Sequence, residues 1–297
     1  MQHDNFAAPV IFGEVLYDCF PDGNSVLGGA PFNVAWHLQA FGLSPLMISA
    51  IGDDTLGQQV KSAMLDWNMD TSGLQLDTGH PTGSVDVKFD NGEPQYTIVE
   101  HRAYDYIDAE LLPSVAGNRI FYHGSLALRN QTSRLALSKI KQTFTGNVFL
   151  DVNLRDPWWQ KDYVLTLADD ANWVKLNENE LRKLGSGAGD IKAQAEKFID
   201  THKLNGLVVT LGEKGAMALT DSGEFAEVQP SRSLEVVDTV GAGDAFTSVL
   251  ILGLTQQWPL QVTIQRAQEF ASLMVARQGA TVHDRKFYQA KIVDWGL

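Results

Sequence analysis

Short apolar runs alternate along the chain with stretches in which apolar positions return every three to four residues. Val10 to Phe12, Leu46 to Ile51, Ile120 to Tyr122, Val148 to Leu150, Trp173 to Leu176 and Leu207 to Leu211 read as strands. Between them, Pro31 to Ala40, Thr55 to Asn68, Gln131 to Thr143 and Ile191 to Lys203 carry helical spacing; in the second of these, Leu56, Val60 and Met64 share one face. Two further helices are predicted near Gly243 to Leu252 and Leu260 to Arg277. Strands alternating with helices predict an α/β fold with a doubly wound, mostly parallel sheet flanked by helices. Ligands of such sheets sit beyond the C-terminal ends of the strands.

One stretch breaks the rhythm. Val85, Val87 and Phe89 alternate with polar residues, Asp90-Asn91-Gly92 turns the chain, and Tyr96 and Ile98 alternate again, which is the pattern of a β-hairpin. Together with a strand-like piece at Leu16 to Phe20 it could form a small β appendage that covers a site; the pattern alone is equally compatible with an ornamental hairpin. The run Gly185 to Gly189 reads as a flexible loop and, lacking a following Lys and Ser or Thr, is not a P-loop.

Composition narrows the function. The net charge is −13, so an acidic surface repels nucleic acid and anionic membrane, and neither partner is expected. A phosphate-bearing ligand would have to be met locally by backbone amides, a metal or a few placed cations. The single cysteine, Cys19, excludes an intramolecular disulfide. The apolar run Ala7 to Phe12 is too short for a signal peptide, and no stretch approaches the roughly 20 apolar residues of a membrane helix, so a cytoplasmic setting is expected. The scattered histidines show no paired metal-ligand spacing. The 297 residues fit one large α/β domain, or one such domain plus a small appendage.

The candidate chemistry lies in Asp238-Thr-Val-Gly-Ala-Gly-Asp-Ala-Phe246, between a β-like run at Leu234 to Val237 and an apolar helix. Gly241, Ala242 and Gly243 therefore fall at a helix N-terminus, where small residues let a phosphate approach the backbone amides and the helix dipole favours its charge. Asp244 falls in the first turn. An acid there is ordinarily a cap or a dipole partner. Beside a phosphate site it would instead orient an acceptor hydroxyl and take its proton, a task a weak base can perform in a loose phosphoryl-transfer transition state.

This string resembles the C-terminal signature of the PfkB, or ribokinase-like, carbohydrate kinases. Gly28-Gly-Ala-Pro-Phe-Asn-Val-Ala35 resembles their N-terminal Gly-Gly signature, and Gly13 to Asp18 and Asp151-Val-Asn-Leu-Arg155 also match, so the resemblance runs from about Gly13 to Ala280. Its detailed form is closest to fructokinase-like members.

The resemblance implies one kinase domain over 1–297, with a lid formed by about 16–27 and 83–105 inserted in it. It implies ATP and Mg²⁺, transfer of the γ-phosphate to a hydroxyl of a small sugar, Asp244 as the base and Gly241 to Gly243 as the anion hole. Asp18, Gly28, Gly29, Asn33, Arg102, Asn153 and Arg155 would meet the sugar; a tight turn for the glycines, a first-turn cap for Asn33 and an ion pair with Asp156 for Arg155 are the structural readings of the same residues. Trp158 and Trp159 read as packing aromatics. Asn177, Thr210, Gly212, Gly215 and Gly279 would line the ATP path, and Glu180 of Asn-x-x-Glu would hold Mg²⁺ through water, although Asn followed by Glu is also an ordinary helix start. Gln268 and Ser272 depart from the residues expected at the adenine end. Many members take K⁺; Asp238 and the Val240 carbonyl would hold it, or Asp238 would only brace the loop. A homodimer through the lid is expected.

A fructose-like ketose is the first substrate. A sugar acid such as 2-keto-3-deoxygluconate is the alternative, suggested by Arg102 and Arg155, and a nucleoside follows it. A non-catalytic sugar-binding relative is the alternative of another class. A dinucleotide-binding dehydrogenase shares the rhythm, but no G-x-G-x-x-G follows the first strand.

Overall fold

The computed structural model describes residues 8–90, 93–115, 117, 119–185, 188–230 and 236–297. In chain order its elements are strands β1 (Val10–Phe12), β2 (Leu16–Cys19) and β3 (Ser25–Gly28), helix α1 (Ala30–Ala40), β4 (Leu46–Gly52), α2 (Thr55–Asp66), β5 (Leu74–Asp77), β6 (Gly83–Asp90) and β7 (Glu93–Ile98). There follow β8 (Ile120–His123), α3 (Gln131–Thr143), β9 (Asn147–Asp151), α4 (Lys161–Asp169), β10 (Trp173–Asn177), α5 (Glu178–Leu184) and α6 (Ile191–His202). The chain ends with β11 (Gly206–Thr210), β12 (Ala216–Thr220), β13 (Phe225–Val228), α7 (Ala242–Thr255), α8 (Leu260–Val275) and α9 (Arg285–Trp295). Among the described residues each unit contains a mostly parallel sheet with helices between its strands, as the alternation of strands and helices predicts, and four strands form a small separate sheet. Asn91 and Gly92 of the predicted turn, Ser186 and Gly187 of the predicted loop, and Leu234 and Glu235 of the predicted β-like run lie outside the described residues.

Two compact units divide the chain. The first is built mainly from Gly117–Leu126 and Thr145–Gln278. Its strands run in the order β13-β12-β11-β10-β9-β8, with β8 to β11 parallel and β12 and β13 antiparallel additions. Val174, Leu176, Leu207, Val208 and Val209 are fully buried, as expected of parallel strands covered on both faces. Val236 and Val237 are not in a strand; the amides of Val237 and Asp238 donate instead to the Val275 carbonyl.

The second unit holds Val10–Ala116, Ala127–Phe144 and Gly279–Leu297. Here β4 pairs in parallel with β1 and with β5. The small sheet runs β3-β2-β6-β7, with β2 antiparallel to β3 and parallel to β6, so the predicted hairpin and the N-terminal strand do join. Asp54 caps α2 by accepting from the Gly57 amide, and it also accepts from the amide and hydroxyl of Thr82. Arg129 donates to both oxygens of Asp105 at 2.7 Å in a buried ion pair.

His37 is wholly buried in α1. Its Nε2 donates to the Ala280 carbonyl at 3.0 Å, which leaves Nδ1 as the acceptor facing the Tyr288 hydroxyl at 2.9 Å. Burial pushes its pKa down to about 4 against the pull of the Ala280 carbonyl. The unfolded chain protonates near pH 6.5 while the folded chain resists until about pH 4, so this stability is complete above pH 6.5 and is lost between the two values. The shift corresponds to about 3 kcal/mol. Denaturant unfolding at steps from pH 7 to 4 is expected to show that loss, and His37→Gln is expected to flatten the profile over the same window.

Candidate active site

The register of the first unit brings chemistry to the C-terminal strand ends. Asn177, the last residue of β10, is the register partner of Thr210, the last of β11. Asn177 also caps α5: its side chain accepts from the Glu180 amide at 2.9 Å, and Glu180 Oε2 accepts from the Asn177 amide at 2.8 Å. This reciprocal pair satisfies two amides that the helix leaves unpaired. Glu180 Oε1 accepts from the Leu154 amide at 2.7 Å, which fastens the loop after β9 to the start of α5. In that loop Asn153 takes φ +37°, a left-handed value that Asn tolerates better than most side chains. Burial pushes the Glu180 carboxyl up, more strongly than the two amides and Lys175 pull it down.

The entrance of α7 is equally specific. Gly241 caps it at φ +76°, in the left-handed region that suits glycine. The Ala245 amide donates to the Gly241 carbonyl at 2.9 Å, closing the first turn, and Asp244 is half-buried within that turn. The Ala242 amide reaches the Thr239 carbonyl only at 3.3 Å. Asp238 accepts from the Val240 amide at 2.9 Å and so braces the segment before the helix.

A cavity of about 780 Å³ lies within this unit and gathers the predicted nucleotide residues Asn177, Thr210, Gly212 and Gly215 with Ala242 and Gly243. Gly215 has φ +97°, and a Cβ there would lie 1.9 Å from the Val228 carbonyl oxygen, so this turn admits only glycine. The sequence did not mark Phe246 or Val275 as lining residues. Gln268 and Ser272 also face the cavity, joined by a 3.2 Å hydrogen bond. Arg155 is exposed, and Asp156 takes the Trp159 indole N–H at 2.6 Å and Lys183 at 3.9 Å rather than forming the Arg155–Asp156 pair.

The pattern of the pfkB family carbohydrate kinases matches residues 18–285. The chain belongs to that family. The kinase is 32% identical over 262 residues to a fructokinase of Klebsiella pneumoniae, covering 82% of this chain and 83% of that one. Its fold is similar to a Vibrio cholerae fructokinase solved with fructose, ADP and calcium, at a TM-score of 0.79 and 28% identity, over 93% of this chain and 95% of that one. A double mutant of the latter has been solved with fructose, ADP and a potassium ion. The kinase is also similar to a Salmonella enterica aminoimidazole riboside kinase bound to its riboside and an ATP analogue, at a TM-score of 0.80 and 26% identity, over 92% and 94% of the two chains.

The second unit of the kinase carries the other predicted residues. Asp18, half-buried on β2, lies opposite Val26 of β3 and Val85 of β6. A Cβ on Gly28 would lie 4.0 Å from Asp18 Oδ2, so the two positions face one space. Gly29 has φ +105°, and a Cβ there would lie 2.7 Å from the Glu14 carbonyl oxygen; its own carbonyl accepts from the Asn33 amide at 2.8 Å. Asn33 is buried in the first turn of α1. Arg102 precedes a short 3₁₀ turn and donates its amide to Asp105. Burial pushes the Asp54 carboxyl up, but hydrogen bonds from Thr82 and Gly57 and the charge of Arg102 outweigh it and hold it below the usual range. Gly279, with φ +86°, also falls in this unit.

Among the described residues no group of three or more His, Cys, Asp or Glu could hold a metal unaided. Glu180 supplies one hard carboxylate whose oxygens each already accept an amide, which suits a Mg²⁺ that keeps its waters and takes its remaining ligands from phosphate. No helix among the described residues is long and apolar enough to cross a membrane.

Proposed function

We propose that this kinase transfers the γ-phosphate of MgATP to a hydroxyl of a fructose-like ketose. One observation carries the reading: a half-buried carboxylate, Asp244, stands in the first turn of α7 directly after Gly243, which lines the cavity with Asn177 and Thr210. The amides of Gly241, Ala242 and Gly243 receive the migrating phosphoryl group, where the helix N-terminus favours its charge. Asp244 orients the acceptor hydroxyl and takes its proton. Asn177, Thr210, Gly212, Gly215 and Gly279 hold the nucleotide. Glu180 would hold a Mg²⁺, and the bound ion would supply neutralisation of the phosphate charge. Asp238 and the Val240 carbonyl are the K⁺ ligands of this reading.

Asp18, Gly28, Gly29, Asn33, Arg102 and Asn153 hold the sugar, and Arg155 meets its outer oxygens. The charge of Arg102 helps to hold the Asp54 carboxyl low, so this cation is partly balanced within the protein, which supports a neutral sugar over a sugar acid. The small sheet serves as the lid; exposed Val26, Phe89 and Tyr96 upon it suit pairing with a second copy.

ATP consumption measured across fructose, other neutral sugars, 2-keto-3-deoxygluconate and nucleosides tests the reading. Turnover on fructose at least tenfold above the sugar acid is expected. Turnover on the sugar acid with inertness toward every neutral sugar overturns the choice of substrate.

A further inference from the structure

We propose that Lys175 is a positioning residue whose charge beneath the entrance of α7 sets the affinity of that entrance for the phosphates of the nucleotide. The inference rests on the nucleotide reading above. Lys175 is the middle residue of β10 and the register partner of Asp151 at the end of β9. Its side chain is 11% exposed, and Nζ donates to both oxygens of Asp151 at 3.1 Å.

The pair is joined to the helix entrance by two contacts. The Thr247 hydroxyl lies 2.8 Å from Asp151 Oδ2 and 3.0 Å from the Gly243 carbonyl oxygen, one turn back in α7. A Cβ on Gly243 would lie 3.4 Å from Lys175 Nζ, so the ammonium lies directly beneath the glycine that lines the nucleotide cavity.

The charge balance gives this placement its meaning. Burial pulls the Lys175 ammonium towards neutrality, but Asp151, Glu180 and Asp244 together outweigh it, and the group stays charged. Three carboxylates thus share one buried cation at the place where a triphosphate must arrive. Without the cation, the incoming phosphates would meet uncompensated negative charge in surroundings that screen it poorly. A lysine retained only to pair Asp151 would make the same ion pair, and the two roles separate by which partner is removed.

Lys175→Gln and Asp151→Asn each break the pair, yet shift the charge at the entrance in opposite directions. Gln can still donate to Asp151, and Asn can still accept from Thr247. MgATP affinity is measured by calorimetry without sugar, and the fold by thermal melting. Lys175→Gln is expected to weaken MgATP about tenfold, the order expected for one nearby charge, while Asp151→Asn binds it as tightly as wild type or tighter.

Lys175→Gln within twofold of wild type, or Asp151→Asn weaker by more than threefold, overturns the proposal. Should Lys175→Gln fail to fold, Asp151→Asn alone decides by the same criterion. A wild-type protein that binds MgATP but phosphorylates no sugar would sink the sugar reading and leave this one standing.

Discussion

Asp244→Asn is expected to lower kcat by three to four orders of magnitude while leaving the fold and both ligand affinities near wild type. The size follows from what the variant removes. A positioned general base contributes on the order of 10² to 10⁴ in rate, and Asn fills nearly the same volume but cannot take a proton. The stability cost is small because the site is a first helical turn. Its carboxylate gains about 0.3–1 kcal/mol from the helix dipole, and the amide keeps the hydrogen-bonding shape. The Gly241 cap and the Ala245 to Gly241 hydrogen bond that closes the turn do not involve the changed side chain. Single-turnover kinetics with saturating MgATP and sugar, beside calorimetric titration of each ligand, check this. Turnover within tenfold of wild type would mean that the proton leaves by another route and that Asp244 is only a dipole partner of α7.

The parts of this architecture that the sequence states openly are those in which local pattern and burial agree. The strand at Val10 to Phe12 and the helix near Gln131 to Thr143 form where the pattern puts them, because a short apolar run and a helix capped by Asn130 carry their own boundaries. The strand read to Leu211 ends at Thr210, since the Leu211 amide turns to the Gly215 carbonyl. Elements were missed where tertiary contact overrides pattern. Strand β5, Leu-Gln-Leu-Asp, is a four-residue edge with Leu76 exposed and Gln75 buried, which inverts the expected alternation. Helix α9 mixes polar and apolar positions, and its place comes from Tyr288 and Trp295 packing against Phe41 of the same unit.

Lys175 shows the limit most clearly. Within the apolar run Trp173 to Leu176 the sequence reading gives Lys175 no role of its own. The signal was present nonetheless: a lysine in the middle of a strand buried on both faces requires an acid alongside. Only the register of β10 against β9 names Asp151 as that acid. Asn177, Thr210, Gly215 and Gln268 enter the sequence reading through the family resemblance, whereas Phe246 and Val275 reach the cavity through the placement of α7 and α8.

Asp18→Ala is expected to weaken sugar binding by about 100-fold while MgATP affinity changes less than threefold. Hydrogen bonds to a charged group contribute about 1.5–3 kcal/mol each, and a carboxylate that holds one or two sugar hydroxyls in a half-buried position should cost that much when removed. The position tolerates the change: β2 is held by backbone pairing to β3 and β6, and alanine keeps that backbone. Gly28→Ala is the companion variant. Its new methyl would lie at ordinary contact distance, 4.0 Å from Asp18 Oδ2, so it narrows the shared space without disturbing the sheet. Sugar affinity should fall in that variant as well, by less than in Asp18→Ala, because the carboxylate remains. Calorimetry with the sugar and with MgATP separately distinguishes the two ligands. A parallel loss of both affinities in Asp18→Ala would show a general disturbance of the small sheet, and unchanged sugar affinity would remove Asp18 from the sugar site.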